Sequence, residues 1–181
     1  RYGRIYGHSG LVADQIPIAT GMAFATRYWS VCFLGDSSTE EDVFGPSLGF
    51  AVTHKLPVLF VESDNNLSVI TETARRRSWD AAKVAEGYGI DSYNIDDDPF
   101  LLLSYCRDYL QYPQSAPVFI NVRTCRKYRH VGPGTEGPMA WDRMQMTREK
   151  FLEGGPQDAF RAATIEGEAK REMETLWLAA G

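Results

Sequence analysis

The sequence has 181 residues, of which 44% are hydrophobic and 24% are charged, and its formal net charge is -5. This length and composition are those of a globular chain that can bury its own core, so they exclude a largely disordered protein. The acidic balance argues against a nucleic acid or an anionic membrane as partner, because both would repel a negative chain.

Three isolated cysteines and short apolar runs indicate the compartment. Cys32, Cys106 and Cys125 lack CxxC spacing, which is typical of free thiols in a reducing environment. No apolar run approaches the ~18 residues of a membrane span, and no signal peptide is visible. We therefore expect a protein of the cytoplasm or of an organellar matrix, with no membrane partner.

Helical and strand patterns alternate from the beginning of the chain. Helical spacing predicts a helix over residues 14–28, and apolar runs predict strands over residues 30–36 and 57–63. Between the strands, residues 46–56 have the pattern of a helix with proline in its first turn. The second strand is apolar at almost every position, which is typical of a strand buried on both faces.

The alternation continues in the second half of the chain. Capping residues and apolar patterns predict a helix over 78–87, a strand over 91–95, a helix over 98–112 and a strand over 117–124. Ser78 and Asp98 are the expected helix caps. A polar loop is expected over 126–138, followed by one or two charged helices. This pattern predicts an α/β fold with a mostly parallel sheet covered by helices on both faces.

Polar turns follow the first two predicted strands. Asp36 and Asn65 each lie just past a strand end, with one helix between them. Because the carboxyl ends of neighbouring parallel strands share one edge of a sheet, we expect these side chains to be neighbours. Aspartate, asparagine and backbone oxygens suit Mg²⁺ with phosphate oxygens and make a poor zinc site. The alternative is that both side chains only complete the hydrogen bonds of their own turns.

The first of these turns has features of a diphosphate site. Gly35 permits a tight turn, and backbone N–H groups around Ser37 and Ser38 are placed to face a diphosphate.

The turns and their flanking segments resemble the alpha subunit of the thiamine-diphosphate-dependent first component of 2-oxo acid dehydrogenase complexes, of the pyruvate, branched-chain and acetoin types. The signature is a GDG-like triplet, a helix, a KLP-containing strand entry and an Asn-bearing turn, here GDSSTEEDVFGPSLGFAVTHKLPVLFVESDNN. Further family segments are YGHSGLVADQIPIATGMAFA and PVFINVRTCRKYRHVGPG. The resemblance implies a thiamine-diphosphate-binding domain over residues 1–138 and a C-terminal helical extension over residues 139–181.

The resemblance implies a metal site. Asp36 and the Asn65 side chain would ligate Mg²⁺, with the backbone carbonyl of Leu67 beside them. A gapless alignment through KLP places Asp64, not Asn66, opposite the first Asn of the family's usual pair.

The resemblance also implies contacts to thiamine diphosphate and a catalytic histidine. The residues expected to bind the cofactor are Gly10, Val12, Gly35, Asp36, Ser37, Ser38 and Asn65. Gly10 and Val12 would offer backbone groups to the aminopyrimidine, and Ser37 stands where the family has a second Gly. His130 falls on the family's loop histidine, which reaches the reacting carbon. His54 is expected on the exposed side of a helix, and His8 is left open between a role near the cofactor and none.

The chain departs from the family in three respects. The family's N-terminal stretch, which supplies further diphosphate contacts including an arginine, is expected to be missing. The helix after the triplet carries Gly45, Pro46 and Gly49 where the family has larger residues. No residue clearly supplies the glutamate that acts on the aminopyrimidine, which in the family comes from a beta chain. We therefore expect an α₂β₂ assembly and an isolated chain that is inactive.

Three functions remain open from the sequence. The first is an alpha-type subunit that decarboxylates a small 2-oxo acid and transfers the acyl group to lipoamide. Its expected partners are a beta-type subunit and a lipoyl-bearing acyltransferase. The second is a thiamine-dependent carboligase or transketolase-like half-enzyme. The third is a non-catalytic family member that keeps the fold without turnover.

Overall fold

The computed structural model describes Tyr6 and residues 9–110 and 116–180 of the chain. The chain divides between Met139 and Ala140 into two compact units. That the first unit is a thiamine-diphosphate-binding domain stays a prediction. No helix in the described ranges combines the length and the apolar character that crossing a bilayer requires.

The first unit alternates strands and helices. In chain order its elements are α1 (Gln15–Thr26), β1 (Ser30–Gly35), a 3-10 helix (Asp36–Glu40), α2 (Phe44–Thr53), β2 (Val58–Asp64), β3 (Leu67–Ser68), β4 (Thr71–Glu72), α3 (Thr73–Arg76), α4 (Ala81–Gly87), β5 (Asp91–Asp96), α5 (Pro99–Leu110) and β6 (Val118–Arg123). The order of the four-stranded sheet is β1-β2-β6-β5, and its neighbouring strands pair in parallel. β3 and β4 form a separate antiparallel pair.

The central strands of the four-stranded sheet, β2 and β6, are buried on both faces, whereas the edge strand β1 leaves Val31 and Phe33 exposed. Along β2, Val58 and Phe60 belong to one hydrophobic cluster and Leu59 to the other, as the two-residue period of a strand requires. The first cluster is completed by buried residues of three helices: Ile16 and Ala23 of α1, Phe44, Leu48 and Ala51 of α2, and Ala81, Ala82 and Ala85 of α4. Partly buried side chains of α5 pack on the second cluster: Leu102, Tyr105 and Tyr109. The predicted α/β class, with a parallel sheet between helices, is confirmed.

Three predicted elements need corrected boundaries, and one of them is the helix predicted over 46–56, which runs over Phe44–Thr53. The first strand ends at Gly35, and Asp36 begins the 3-10 helix instead of ending the strand. The helix predicted from Ser78 begins at Ala81, because the Asp80 side chain caps it by accepting a hydrogen bond from the Lys83 N–H at 2.9 Å. By contrast, Asp98 caps α5 as predicted, since its Oδ1 accepts from the Phe100 N–H at 2.8 Å.

The unusual glycines of α2 make room for a tyrosine. A Cβ at Gly45 would lie 2.9 Å from the Tyr88 hydroxyl, and one at Gly49 would lie 3.3 Å from the Tyr88 ring. Pro46 occupies the third position of α2, where its missing N–H has no intrahelical partner to lose. The departure from the family pattern therefore keeps the helix and reshapes the surface that faces Tyr88.

The second unit is a pair of helices, α6 (Arg143–Glu153) and α7 (Pro156–Ala180). The Asp142 side chain caps α6 by accepting from the Gln145 N–H at 3.1 Å. The Glu166 carboxylate pairs with Arg148 Nε at 2.8 Å, and both side chains are half exposed. Near the C-terminus Trp177 and Leu178 are about four-fifths exposed, at 79% and 82%.

Candidate functional site

The sheet brings the two polar turns to one edge. β1 and β2 pair in parallel with Gly35 opposite Ser63, so Asp36 and Asp64 leave their strands at the same level. Asn65 follows directly. The predicted position of both turns at the carboxyl end of neighbouring strands is confirmed, whereas the roles assigned to their side chains stay predictions.

Asp36 is a buried carboxylate at this edge, with 3% of the residue exposed. Its Oδ2 accepts hydrogen bonds from Arg76 Nη2 at 2.5 Å and from Thr73 Oγ1 at 3.1 Å. Its backbone carbonyl accepts from the Thr39 hydroxyl at 2.7 Å, which holds the turn of the 3-10 helix. Burying a carboxylate is costly unless it is paired with a cation and hydrogen-bonded, and Arg76 and Thr73 meet both conditions.

Arg76 joins two carboxylates. In addition to the Asp36 pair, its Nη1 donates to Oε1 of Glu40, at the other end of the 3-10 helix. Its side chain is 13% exposed. The guanidinium therefore links α3 to both ends of the 3-10 helix, and its single positive charge pairs with two carboxylates.

Arg77 points into the sheet instead. Its Nη2 donates to Oε1 of Glu62 at 3.2 Å, its Nη1 donates to the Thr39 hydroxyl, and its guanidinium lies 4.6 Å from the centre of the Trp79 ring. Glu62 lies on β2 and is fully buried. Burial raises the pKa of Glu62 to about 8, and this effect outweighs the lowering of its pKa by Arg77.

Sequence reasoning missed the roles of this arginine run. Arg75 is exposed, whereas Arg76 and Arg77 reach Asp36 and Glu62, which are 40 and 15 residues away in sequence. The sequence did contain one indication of these contacts: three consecutive arginines occur in a chain whose predicted sheet edge carries acidic residues.

The Asn65 side chain completes its own turn. Its Oδ1 accepts from the Leu67 N–H at 3.0 Å, and the Asp64 Oδ1 accepts from the Asn66 N–H at 2.8 Å. Asn66 has a positive φ of 63°, which asparagine tolerates better than most residues. The turn hydrogen bonds anticipated as the alternative are thus present, and an amide oxygen with two lone pairs keeps one for another partner.

The donor chemistry at this edge fits a hard cation. Asp36, the Asn65 amide and the Leu67 carbonyl provide only oxygen, which is the ligand type that Mg²⁺ prefers. Within the described ranges there is no cluster of three or more His, Cys, Asp or Glu that could hold a metal ion, so a metal here would depend on the amide and carbonyl oxygens as well as on Asp36. The buried Asp36 carboxylate is already neutralised by a cation, the Arg76 guanidinium, which stands where a metal charge would act.

Of the other predicted cofactor residues, Gly35, Ser37 and Ser38 adjoin Asp36, whereas Gly10 and Val12 lie before α1. Ser37 and Ser38 are in the 3-10 helix after β1, where Ser38 is buried and Ser37 half-buried. Gly10 and Val12 precede α1 and are exposed. Gly35 ends β1, and a Cβ there would meet no atom within 4 Å. Space is therefore present next to the strand end.

His130 lies at the turn of a small hairpin within the predicted polar loop. Tyr128 and Thr135 form an antiparallel bridge, and the Arg129 N–H donates to the Gly134 carbonyl at 3.2 Å. His130 itself is exposed. The hairpin presents this histidine to solvent at its tip.

Arg126 anchors that hairpin. Its Nη2 donates to Glu136 Oε1 at 2.6 Å and to the Val69 carbonyl at 2.5 Å, which ties the loop to the turn between β3 and β4. Arg123 is paired with Asp96 at 2.7 Å on the surface. These two members of the basic stretch therefore have partners within the chain.

The remaining histidines are distant from this chemistry or outside the description. His54 ends α2, is exposed as predicted, and contacts the rings of Phe24 and Phe50. His8 lies outside the described residues. Cys32, Cys106 and Cys125 are free cysteines.

Comparison with protein families and curated proteins gives a consistent result. A family model described as "Dehydrogenase E1 component" matches residues 1–145. The chain is 27% identical over 180 residues to the pyruvate dehydrogenase E1 component subunit alpha of Rickettsia felis, covering 94% of this chain and 54% of that protein. The protein of that name from Rickettsia prowazekii is 30% identical over 159 residues, covering 83% and 48%. The chain spans about half the length of the curated relatives it matches.

Solved structures share the fold at low sequence identity. A thiamine diphosphate-dependent 4-hydroxybenzoylformate decarboxylase from Rhodococcus jostii RHA1 has a TM-score of 0.53 and 20% identity, covering 63% of this chain and 23% of that chain. A transketolase variant from Pichia stipitis has a TM-score of 0.52 and 20% identity, covering 62% and 19%. At this identity the likeness shows the fold alone.

Proposed function

This chain belongs to the Dehydrogenase E1 component family, and from that premise we propose that it is the alpha-type subunit of a thiamine-diphosphate-dependent 2-oxo acid dehydrogenase. Membership confirms the resemblance found in the sequence. The proposed activity is decarboxylation of a small 2-oxo acid and transfer of the acyl group to lipoamide. The observation that supports it most is the family match over residues 1–145, which includes Asp36, a carboxylate with 3% exposure at the strand edge.

Residues of this chain would hold the cofactor. Asp36, the Asn65 amide oxygen and the Leu67 carbonyl would bind Mg²⁺ through oxygen. The decarboxylation chemistry is supplied by thiamine diphosphate when it is bound. The backbone N–H groups of Ser37 and Ser38 would bind diphosphate oxygens, because backbone N–H groups at such a turn attract anions.

The remaining roles concern the aminopyrimidine and the proton. Gly35 leaves open space at the end of β1 for an approaching diphosphate. Gly10 and Val12 would offer backbone groups to the aminopyrimidine. His130, carried on the Arg126-anchored hairpin, would donate or accept a proton at the reacting carbon, because an imidazole ring has nitrogens that can do both.

The proposal includes partners and a compartment. A beta-type subunit with a pyrimidine-binding domain would complete the site in an α₂β₂ assembly, and a lipoyl-bearing acyltransferase would accept the acyl group. Nucleic acid and membrane are not part of the proposal, because the chain carries a net charge of -5. We place the protein in the cytoplasm or an organellar matrix.

One observation favours a second candidate function. The Arg76 guanidinium already pairs with Asp36, and Asn65 is engaged in its own turn. Both would be expected of a family member that keeps the fold and has lost turnover. The distinction lies in whether the site still binds a metal and a diphosphate.

Titration calorimetry tests the proposal. Thiamine diphosphate is titrated with and without Mg²⁺ into the full chain, alone and with a co-expressed beta-type partner, for the wild type, Asp36→Ala and Glu41→Ala. We expect binding that requires Mg²⁺ and is lost in Asp36→Ala, with Glu41→Ala, an exposed acid of the same segment, unchanged. Absence of binding to the wild type with its partner would favour the second candidate.

A further inference from the structure

Arg76 holds the carboxylate on which the proposed metal site depends. Its Nη2 lies 2.5 Å from Asp36 Oδ2, and the two side chains are 13% and 5% exposed. Solvent therefore screens the pair weakly, and a charge-assisted hydrogen bond of this kind is among the stronger polar interactions in a protein. One of the two carboxylate oxygens of Asp36 is occupied by the chain's own cation.

A second donor occupies the same oxygen. Thr73 Oγ1 also donates to Asp36 Oδ2, at 3.1 Å, and Arg76 Nη2 donates to Thr73 Oγ1 at 3.0 Å. Thr73 and Arg76 are the first and last residues of α3, so the two donors arrive together on one short element. A metal ion that takes this oxygen has to displace both.

A metal on the other oxygen of Asp36 would still meet the guanidinium. Mg²⁺ and Arg76 would then be two cations on one carboxylate, at a separation where like charges repel strongly in a poorly solvated site. Metal and guanidinium therefore oppose each other at either oxygen of Asp36.

Glu40 gives the guanidinium a second acceptor. Arg76 Nη1 donates to Glu40 Oε1, and the Glu40 side chain is 24% exposed. Arg76 can release Asp36 and keep a carboxylate partner, which lowers the cost of making way for a metal. Arg75, the neighbour in sequence, is exposed and forms no ion pair that the structure shows.

We propose that Arg76 is an internal cation that competes with Mg²⁺ for Asp36, and that Glu40 retains the guanidinium when the metal binds. This inference rests on the proposed function, because it takes Asp36 as a metal ligand. Arg76 thereby sets the Mg²⁺ concentration at which the site is loaded. If Arg76 were instead a ligand of the diphosphate only, its removal would weaken the binding of thiamine diphosphate and leave the Kd for the metal alone unchanged, so the effect on metal binding separates the two roles.

Metal binding to the full chain tests the competition without any turnover. The probe is Mn²⁺ alone, with free Mn²⁺ measured by electron paramagnetic resonance, for the wild type, Arg76→Gln and the control Arg75→Gln. Arg76→Gln is expected to lower the Kd for Mn²⁺ about tenfold, as loss of one charged hydrogen bond to the ligand predicts. Arg75→Gln is expected to leave the Kd unchanged.

Glu40 supplies a test with the opposite sign. Glu40→Gln replaces the alternative carboxylate by a neutral amide that holds the guanidinium less strongly, so it is expected to raise the Kd for Mn²⁺ in the wild-type background. In the double variant with Arg76→Gln, most of that effect is expected to disappear. An equal effect of Glu40→Gln in both backgrounds would show a general loss of negative charge and would overturn the role given to Glu40.

A folding defect is separated by circular dichroism and by Arg76→Lys, which keeps the positive charge and is expected to stay near the wild-type Kd. A folded Arg76→Gln with an unchanged or higher Kd overturns the competition. If thiamine diphosphate binding still requires Mg²⁺ and Asp36 in that case, the proposed function stands and only the competition fails. If no variant binds either Mn²⁺ or thiamine diphosphate, both fail.

Discussion

Glu62 carries a carboxyl group in the middle of the parallel sheet, where it is fully buried. Its Oε1 accepts from Arg77, while Oε2 has no hydrogen-bond partner among the described residues. Removal from water disfavours the charged form more than Arg77 favours it, so the pKa of Glu62 rises to about 8. The raised pKa therefore favours the protonated form of this carboxyl group in the folded chain.

This proton makes stability depend on pH. The ordinary pKa is 4.5, so between about pH 4.5 and pH 8 the folded chain binds a proton that the unfolded chain has released. The contribution of Glu62 is fully present below this range and is lost as the pH rises through it, by at most about 1.4 kcal/mol per pH unit. Glu62→Gln is expected to flatten the profile of the free energy of unfolding, measured by urea denaturation from pH 5 to pH 9.

Ser63→Ala, on the next residue of β2, is the matched control and is expected to keep the wild-type profile. Parallel profiles for the wild type and Glu62→Gln would contradict the raised pKa.

The sequence identified Asp36 and Asn65 because both follow apolar runs long enough to be recognised as strands. It did not identify the partners of those residues. The bond from Arg76 to Asp36 joins positions 40 apart, and that from Arg77 to Glu62 joins positions 15 apart. Such contacts depend on how α3 packs at the strand edge. Three consecutive arginines have no hydrophobic pattern from which that packing could be predicted.

At the scale of elements, α1 and α2 each contain glycine in their interior, with different surroundings. A Cβ at Gly21 of α1 would meet nothing within 4 Å, whereas one at Gly45 of α2 would lie 2.9 Å from the Tyr88 hydroxyl. Gly21→Ala is expected to stabilise the chain by about 0.5–1 kcal/mol, the usual gain in helix propensity. Gly45→Ala is expected to gain less or to destabilise, because Tyr88 has to move. Urea denaturation compares the two, and an equal gain at both positions would contradict the packing of Tyr88 on α2.

The hairpin that carries His130 depends on one side chain. Arg126 is 13% exposed and its Nη2 bonds both Glu136 and the Val69 carbonyl, so its loss removes charged hydrogen bonds worth about 1.5–3 kcal/mol each. Arg126→Ala is expected to accelerate hydrogen exchange at the Arg129 and Glu136 amides, which close the hairpin.

Arg123→Ala serves as the comparison, because the Arg123–Asp96 pair is 64% and 58% exposed and exposed pairs contribute little. Exchange at the hairpin amides that is the same in both variants would show that Arg126 does not anchor the loop.

Long elements were predictable and short ones were not. The four parallel strands fall within one or two residues of their predicted ranges. The central strands β2 and β6 are mostly apolar because they are buried on both faces. The two-residue strands β3 and β4, the 3-10 helix and α3 went unpredicted, since two to five residues are too few to show a hydrophobic period. These short elements hold Asp36, Leu67 and Arg76, so most of the candidate site lies in segments whose secondary structure the hydrophobic pattern cannot predict.

At the scale of the whole molecule, the proposed active site requires a second chain. The glutamate that acts on the aminopyrimidine has no clear source in this sequence, so the purified chain is expected to show no decarboxylation of 2-oxo acids. Addition of a beta-type subunit is expected to restore it, with carbon dioxide release as the measurement and Asp36→Ala plus the same partner as the control. Turnover by the chain alone would contradict the proposed division of the site.

The contact of Tyr88 with the two glycines of α2 also constrains how the sequence can evolve. Positions 45, 49 and 88 share one volume, so a side chain gained on the helix requires either a shift of the exposed Tyr88 ring or a smaller residue at 88. In an alignment of relatives these three positions are expected to co-vary: paired glycines should accompany a tyrosine, and larger helix residues should accompany a small one. A change at one of the three positions alone would push the Tyr88 ring off the helix or leave the glycines without their partner, so changes at these positions are expected to occur together.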